Sequence, residues 1–546
     1  MTNPNSMQRT SHATIQSAFQ NAGYILVRYE TEETPCTGIT AVTKQERRHF
    51  NRGVMVAPWC PNLKRAPGKN PLENGKIVDI GLSYALPSGK RCRVLRTTDE
   101  FMPVFYLAIA GHFDGRESPY DVPLQAQKTD ALVFGEAVEE LLNLFGSDRH
   151  FIWGADWQSV PALLKLRARH LVALTLHNEF DQCLEVEALQ YGRGYEAFAV
   201  PSPAHAGAKT ALELGLEIVD VATTVNRGYA NGLSNEAIHR SVMAAHILYL
   251  TRRIVGVNNA AFSPLSVDLR RVRRELVTDP KIGRDRLFAL KSDALASLPE
   301  ELRSKGDGKV MIVSMGRRVP QKQHDVLVEA VRSLLNERSD LPLLVVFATI
   351  HGDEGSPARL ARMRSLEKEF PQNVVCLDGQ IHFFAQLMLA ADFNCMPSLW
   401  EPHGGAFDGV VVPIARAIDG LVEQIAPLEP RGEAARMSAL WHSTHEQPTG
   451  FLFRENVSAH VFLEQQLTEL LQQSPSPTND LFRCMVGELA AVISKALAIR
   501  LEDPQCYADL VKGILEKQEN TSWEVNLGGM LALVEQQRAR MLAVVS

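Results

Sequence analysis

VMIVSMGRRVPQK, residues 310–322, decides the fold: an apolar run, interrupted only by Ser314, reaches a glycine and then gives way to cations. A run of this kind, too short for a helix and without polar alternation, marks a strand buried on both faces. Four more follow at intervals that mostly leave room for a helix: LPLLVVFATI (341–350), NVVCLD (373–378), FNCMPS (393–398) and VVVPIAR (410–416). Short β-branched runs alternating with helical patterns are the signature of βαβ units around a parallel sheet. The predicted strands are Val310–Ser314, Pro342–Ala348, Asn373–Leu377, Phe393–Met396 and Val410–Ile414.

Outward from this core, the first half carries the same alternation, with strands predicted at Tyr24–Tyr29, Arg93–Arg96, Val104–Ile109, His150–Trp153 and His170–Leu176. The chain therefore reads as an α/β protein of two Rossmann-like, doubly wound domains. Asp279–Asp307 is charged, carries Gly306 and Gly308 and has no sustained β pattern, which suits a linker or surface helix. The expected division is 1–305, 306–505 and C-terminal helices in 506–546. Pro427–Thr449 reads as a long surface loop, the run from Ser474 to Thr478 as a local linker, and Leu481–Leu501 and Glu524–Val545 as helices.

Composition sets outer limits. At 546 residues the chain is too long for one small unit, and 45% hydrophobic with 22% charged residues is a globular, not a disordered, balance. A formal charge of −6 gives no whole-molecule attraction to nucleic acid or anionic membrane. The basic run from Leu269 to Glu275 lacks interleaved aromatics and reads as a solvated helical face. Eight cysteines without a CxxC pair fit a reducing compartment, and neither a signal-peptide core nor a membrane-length apolar stretch is evident. The expected location is cytoplasmic.

In open parallel sheets ligands bind beyond the carboxyl ends of the strands, where loops and helix N-termini converge. His177 and Asn178 follow LVALTL, Arg317 and Lys322 follow VMIVSMG, Gly352 and Asp353 follow VVFATI, Glu401 follows FNCMPS, and Gly420 follows VVVPIAR. Arg317 and Lys322 are about a helical turn apart and can reach one diphosphate; the plainer alternative is a solvated basic turn. Near Glu401, the bare amides at Gly404 and Gly405 can approach an anion or a sugar hydroxyl; the alternative is an ordinary helix-capping loop. His403 beside Glu401, and His351 beside Gly352 and Asp353, lack metal-ligand spacing, so no metal is assigned. Trp153, Trp157 and Trp400 can stack on sugar rings or fill a core, and Trp400 is the better candidate for a ligand cleft.

Taken together and in order, these segments resemble the glycogen and starch synthases, retaining glucosyltransferases of the GT-B fold. LTLHNEF resembles the family's "T-x-H-N", Ala155-Asp156-Trp157-Gln158 its "H-D-W-Q", and VATTVNRGYA (221–230) its "VTTVSPTYA". Arg317 to Lys322 resembles "R-x-x-x-Q-K", MPSLWEPHG (396–404) "MPSRFEPCG", Thr449-Gly-Phe-Leu-Phe "TGFLF", and Thr521-Ser-Trp-Glu "F-S-W-E".

The resemblance implies a nucleotide diphosphate sugar such as ADP-glucose or UDP-glucose as substrate, a saccharide or α-glucan acceptor in an interdomain cleft, and no metal or other cofactor. Arg317 and Lys322 would neutralise the leaving diphosphate, His177 would hold the transferred sugar, and Glu401 would orient its hydroxyls. Gly38, Asp156, Asn178, Gly352, Asp353, Gly404, Gly405 and Gly420 would line the donor. The last helix would pack back on the first domain. Three departures stand out: the family's "K-T-G-G-L" is reduced to Pro35-Cys36-Thr37-Gly38-Ile39, both histidines of "H-A-H-D-W" are lost at 153–157, and "T-G-G-L" becomes Ile418-Asp419-Gly420-Leu421, with a carboxylate that would repel a phosphate it faced. The alternative function is a catalytically impaired carbohydrate-binding or regulatory protein on the same scaffold.

Overall fold

The computed structural model describes residues 15–34, 38–61, 70–114, 116, 119–120, 122–146, 149–191, 194–240, 253–262, 265–379, 381–405, 409–457, 463–472 and 478–545. The chain divides into two compact units: Met1–Val225 with Ala244–Asn259 and Trp523–Ser546, and Asn226–Met243 with Ala260–Ser522.

The first unit is built on a nine-stranded sheet. Its strands are β1 (Tyr24–Val27), β2 (Gly53–Pro58), β3 (Ile77–Ala85), β4 (Arg91–Thr97), β5 (Val104–Ile109), β6 (Phe151–Ala155), β7 (Leu171–Leu176), β8 (Val221–Thr224) and β9 (Ile254–Gly256). Their order is β3-β4-β5-β2-β1-β6-β7-β8-β9, parallel except at the β3–β4 and β4–β5 pairings. β1, β2 and β6 are buried along their whole length, as strands covered on both faces require. β3 and β4 alternate buried with exposed residues, the pattern of an antiparallel edge with one face in solvent. The last helix, Trp523–Val545, packs on this unit, where Asn526 donates to the Asn258 carbonyl at 3.1 Å.

The second unit carries six parallel strands: β10 (Val310–Arg317), β11 (Leu343–Ile350), β12 (Val374–Asp378), β13 (Phe393–Met396), β14 (Val412–Arg416) and β15 (Phe451–Phe453), in the order β12-β11-β10-β13-β14-β15. β10 pairs with β11 over its full length, from Val310 opposite Leu343 to Arg317 opposite Ile350. The order reverses between β10 and β13, so the crevice of a doubly wound sheet lies beyond the ends of these two strands. One core joins Ile312, Val345 and Ile414 to the helices His324–Glu337, Asp480–Glu502 and Pro504–Asn520; another, on residues of opposite parity such as Met311, Val313 and Val346, packs against Pro280–Ala296 and Phe384–Ala390.

The expected boundary near 305 is displaced. The stretch 279–307 forms the helices Pro280–Ala296 and Glu300–Gly306, whose Ala294 and Leu302, with Leu298 between them, are core residues of the second unit. The basic run lies in the helix Val267–Thr278, which buries only Val272 and Leu276 and pairs Arg271 with Glu275. The expected loop at 427–449 contains a short helix, Gly432–Ser438, while 474–477 of the expected linker and residues 35–37 lie outside the described residues. Among the described residues, no helix is long and apolar enough to cross a membrane.

Candidate active site

In the second unit, β10 delivers Arg317 to the strand end, half-buried, and a single turn, Pro320–Lys322, brings Lys322 round to the following loop. β13 ends one strand away, and its loop carries Glu401. Lys322 Nζ and a Glu401 carboxylate oxygen form an ion pair, which Ser398 Oγ joins at 3.1 Å from Oε2. The two loops are laced by backbone as well: the Leu399 N–H donates to the Gln321 carbonyl at 2.8 Å, and Gln321 Nε2 to the Trp400 carbonyl at 3.1 Å. Arg416, at the end of β14, donates to the Leu399 carbonyl at 2.9 Å and pairs with buried Glu455. Burial would raise the Glu455 pKa, but the Arg416 and Arg454 guanidiniums override it and hold the carboxyl at about 2. Behind Lys322, His324 is buried and hydrogen-bonds Ser314 Oγ at 3.2 Å; burial pushes its imidazole down to about 4.

Asp419 answers the question its position raises. It is 1% exposed, opens the helix Asp419–Gln424, and faces inward. Its Oδ2 accepts the Glu401 N–H at 3.1 Å and its Oδ1 lies 3.0 Å from His239 Nε2. The carboxylate thus braces the Glu401 loop through a hydrogen bond.

The first unit repeats the device. Asp156 follows β6 with a left-handed φ of 54°, as Asp419 follows β14 with 45°. Its Oδ1 accepts the His177 N–H at 2.8 Å, and its Oδ2 lies 3.4 Å from His177 Nδ1. His177, at the end of β7, shares a small cavity with Glu46, Trp153, Thr175, Asn259 and Asn526. Beside it, fully buried Arg28 donates to Glu46 at 2.8 Å and to the Trp153 carbonyl at 2.7 Å.

Several residues expected at the donor are engaged otherwise. The Gly352 and Asp353 N–H groups both donate to Ser356 Oγ, at 2.9 and 3.0 Å, and Asp353 pairs with Arg359 at 2.6 Å. The Gly420 N–H donates to the Glu401 carbonyl at 3.1 Å, and a β-carbon there would lie 2.3 Å from the Pro402 carbonyl oxygen, so this glycine serves loop packing. Gly404 is pressed against Leu421, 2.7 Å from where its β-carbon would stand, while Gly405 takes a φ of 60°. Asn178 Oδ1 accepts the Glu179 N–H at 2.8 Å, and Gly38 opens the helix Gly38–His49 with no neighbour near its missing side chain. Trp400 is 2% exposed and belongs to the core, as do Trp153 and Trp157, because a tryptophan at a strand end covers sheet that would otherwise be wet. His403 Nδ1 lies 2.5 Å from Gln424 Nε2, and among the described residues no group of three or more histidine, cysteine or acidic side chains could hold a metal ion.

Two doubly wound sheets, the first mainly and the second wholly parallel, make the GT-B fold of glycosyltransferases, and the relatives of this chain indicate that class of enzyme. Within that class the chain is similar to the glycogen and starch synthases. A family model of the starch synthase catalytic domain matches residues 44–244. A glycogen synthase of Ralstonia nicotianae is 27% identical over 432 residues, 73% of this chain and 75% of that protein. Another, of Desulforudis audaxviator, is 25% identical over 318 residues, 54% of this chain and 59% of that one. In fold, the chain is similar to the catalytic domain of starch synthase IV from Arabidopsis thaliana bound to ADP and acarbose, with a TM-score of 0.63 and 14% identity over 96% of this chain and 100% of that one.

Proposed function

We propose that the chain transfers a glucosyl unit, with retention of configuration, from a nucleoside diphosphate sugar to an α-glucan or related saccharide. The observation that carries this reading is the meeting of Lys322 and Glu401 where the strand order of the second sheet reverses, with Arg317 ending the same strand. Arg317 and Lys322 neutralise charge that grows on the diphosphate as the glycosidic bond breaks, the kind of stabilisation that speeds the step rather than merely tightening binding. Lys322 is delivered already paired, so the diphosphate approaches a lysine whose position Glu401 has fixed. Glu401 keeps a second oxygen for sugar hydroxyls. His177, held by Asp156 in the first unit, donates to or accepts from the transferred sugar. The acceptor hydroxyl attacks on the face from which the diphosphate departs, and its proton passes to the departing phosphate oxygen; no enzymic nucleophile is required. The nucleotide sugar is consumed as substrate, and the reaction calls on no metal or other cofactor.

One observation favours the alternative of a saccharide-binding protein with impaired catalysis: the Gly352, Asp353 and Gly420 amides, expected at the donor, are engaged within the protein. Release of nucleoside diphosphate from ADP-glucose and UDP-glucose, with and without a malto-oligosaccharide, separates the two. Acceptor-dependent release that Lys322→Ala lowers by about 100-fold or more supports transfer and names the donor. No release from either donor, by protein that still binds glucan, establishes the alternative.

A further inference from the structure

Asp419 is an expensive residue to keep where it is. Its φ of 45° lies in the left-handed region, which glycine enters freely and aspartate only occasionally. Its carboxylate is buried, which is tolerated only when hydrogen-bonded. The surroundings are shaped to hold it. A β-carbon on Gly232 would stand 1.9 Å from Asp419 Oδ1, and one on Gly228 would stand 2.3 Å from the Asp419 carbonyl oxygen. Both glycines lie on the helix Arg227–Asn235, and His239 follows it. Glu423, one helical turn beyond Asp419, receives the Gly228 N–H at 2.8 Å and Arg227 Nε at 2.7 Å. The helix 419–424 is thus fastened at two points to residues 227–239, and the same carboxylate that makes one of these fastenings also holds the Glu401 N–H.

We infer that Asp419 is a positioning residue: through Glu401 it sets the Lys322–Glu401 pair, and it ties that pair to the 227–239 segment. The kinetic part of this inference rests on the function proposed above. The structural part, that Asp419 pins the Glu401 loop, does not.

The test compares wild type with Asp419→Gly and Asp419→Asn. Glycine relieves the backbone strain but removes both acceptor oxygens; asparagine tolerates the left-handed backbone and keeps one acceptor for the Glu401 N–H. Hydrogen exchange should show lost protection in 398–405 and 227–239 in the glycine variant, with β10 and β11 unchanged, and most of it restored by asparagine. With the donor identified above, kcat should fall about 10- to 100-fold in the glycine variant and KM for the donor should stay within about threefold, asparagine again recovering most of the loss. Should the glycine variant fail to fold, His239→Gln, which disturbs only one partner, should give an intermediate loss of protection in the same two segments.

Unaltered protection in Asp419→Gly overturns the inference whatever the activity. So does a kcat equal to or above wild type, or a lowered donor KM, since those results would make the carboxylate an obstruction to the diphosphate. If wild type transfers no sugar, the proposed function fails, and the exchange result alone decides whether Asp419 holds the loop.

Discussion

Acidification should weaken the second unit through His324, and the size of the effect follows from where the residue sits. His324 opens the helix that follows Lys322; it is 2% exposed and hydrogen-bonded to Ser314 Oγ. Burial is the main reason its imidazole is pushed from the ordinary 6.5 down to about 4; Lys322 and Arg318 push the same way, and Asp325 opposes them. The folded chain therefore holds this side chain neutral where the unfolded chain would protonate it. Between about 6.5 and 4 the unfolded state binds more protons, so the stabilisation is complete above pH 6.5 and is lost as the pH falls toward 4. That interval corresponds to roughly 3 kcal/mol. The perturbation is His324→Asn, whose side-chain N–H can take the place of Nδ1–H as donor to Ser314 Oγ, itself spent as a donor on the Cys395 carbonyl, and which does not titrate. Urea unfolding at several pH values from 7 to 4 should show wild type losing about 3 kcal/mol more than the variant. A selectively labelled histidine spectrum gives the site directly. Parallel stability profiles for the two proteins, or a His324 resonance that titrates near 6.5, would refute the reasoning.

Two further outcomes are expected. Arg416→Met should cost about 3–5 kcal/mol in chemical denaturation, because it leaves Glu455 buried with one guanidinium fewer and frees the Leu399 carbonyl of the active-site loop; Arg416→Met with Glu455→Gln should recover part of that loss. Gly420→Ala should lower thermal stability by an amount equivalent to about 1–3 kcal/mol and depress turnover with it, because the added methyl would meet the Pro402 carbonyl, which as backbone cannot swing aside; unchanged turnover would show that the Glu401 loop moves freely.

The second sheet was the more legible one, and the reason is burial. β10, β11, β13 and β14 are covered on both faces, so their runs contain little but apolar residues and are visible without any partner. The predicted Val310–Ser314 extends to Arg317 only because polar Ser314 and the glycine at 316 continue the ladder to Ile350. In the first unit, β8 and β9 are four and three residues long, too short for a pattern, and β3 is an edge strand interrupted by a bulge between Asp79 and Leu82. The boundary near 305 is displaced because the expected linker or surface helix packs on the second unit: residues 280–296 expose most of their length yet bury Leu287, Lys291 and Ala294. At the site, strand-end position alone located Lys322 and Glu401, which meet, and His177, whose backbone Asp156 holds. At Gly352 and Gly420 the missing side chain makes room for a neighbouring side chain and a carbonyl, and a glycine that admits a ligand looks the same in sequence. Asp419 drew notice for its charge, but its partner His239 is 180 residues away and carries no local signal.

The cradle around Asp419 also constrains the order in which such a site can arise. With glycine at 228 and 232, position 419 can change between aspartate and a smaller residue without a steric clash. Once Gly232 gains a methyl group, the space needed by the Asp419 carboxylate is filled, at 1.9 Å, whereas Gly228 faces the backbone carbonyl of 419 at 2.3 Å and is required whatever residue stands there. Gly232 must therefore come first and leave last. In a lineage that exchanges the carboxylate for a smaller residue and then fills Gly232, the way back is closed until that second change is undone. Mutational tolerance at 232 should accordingly depend on which residue occupies 419, even though nearly two hundred positions separate them in the chain.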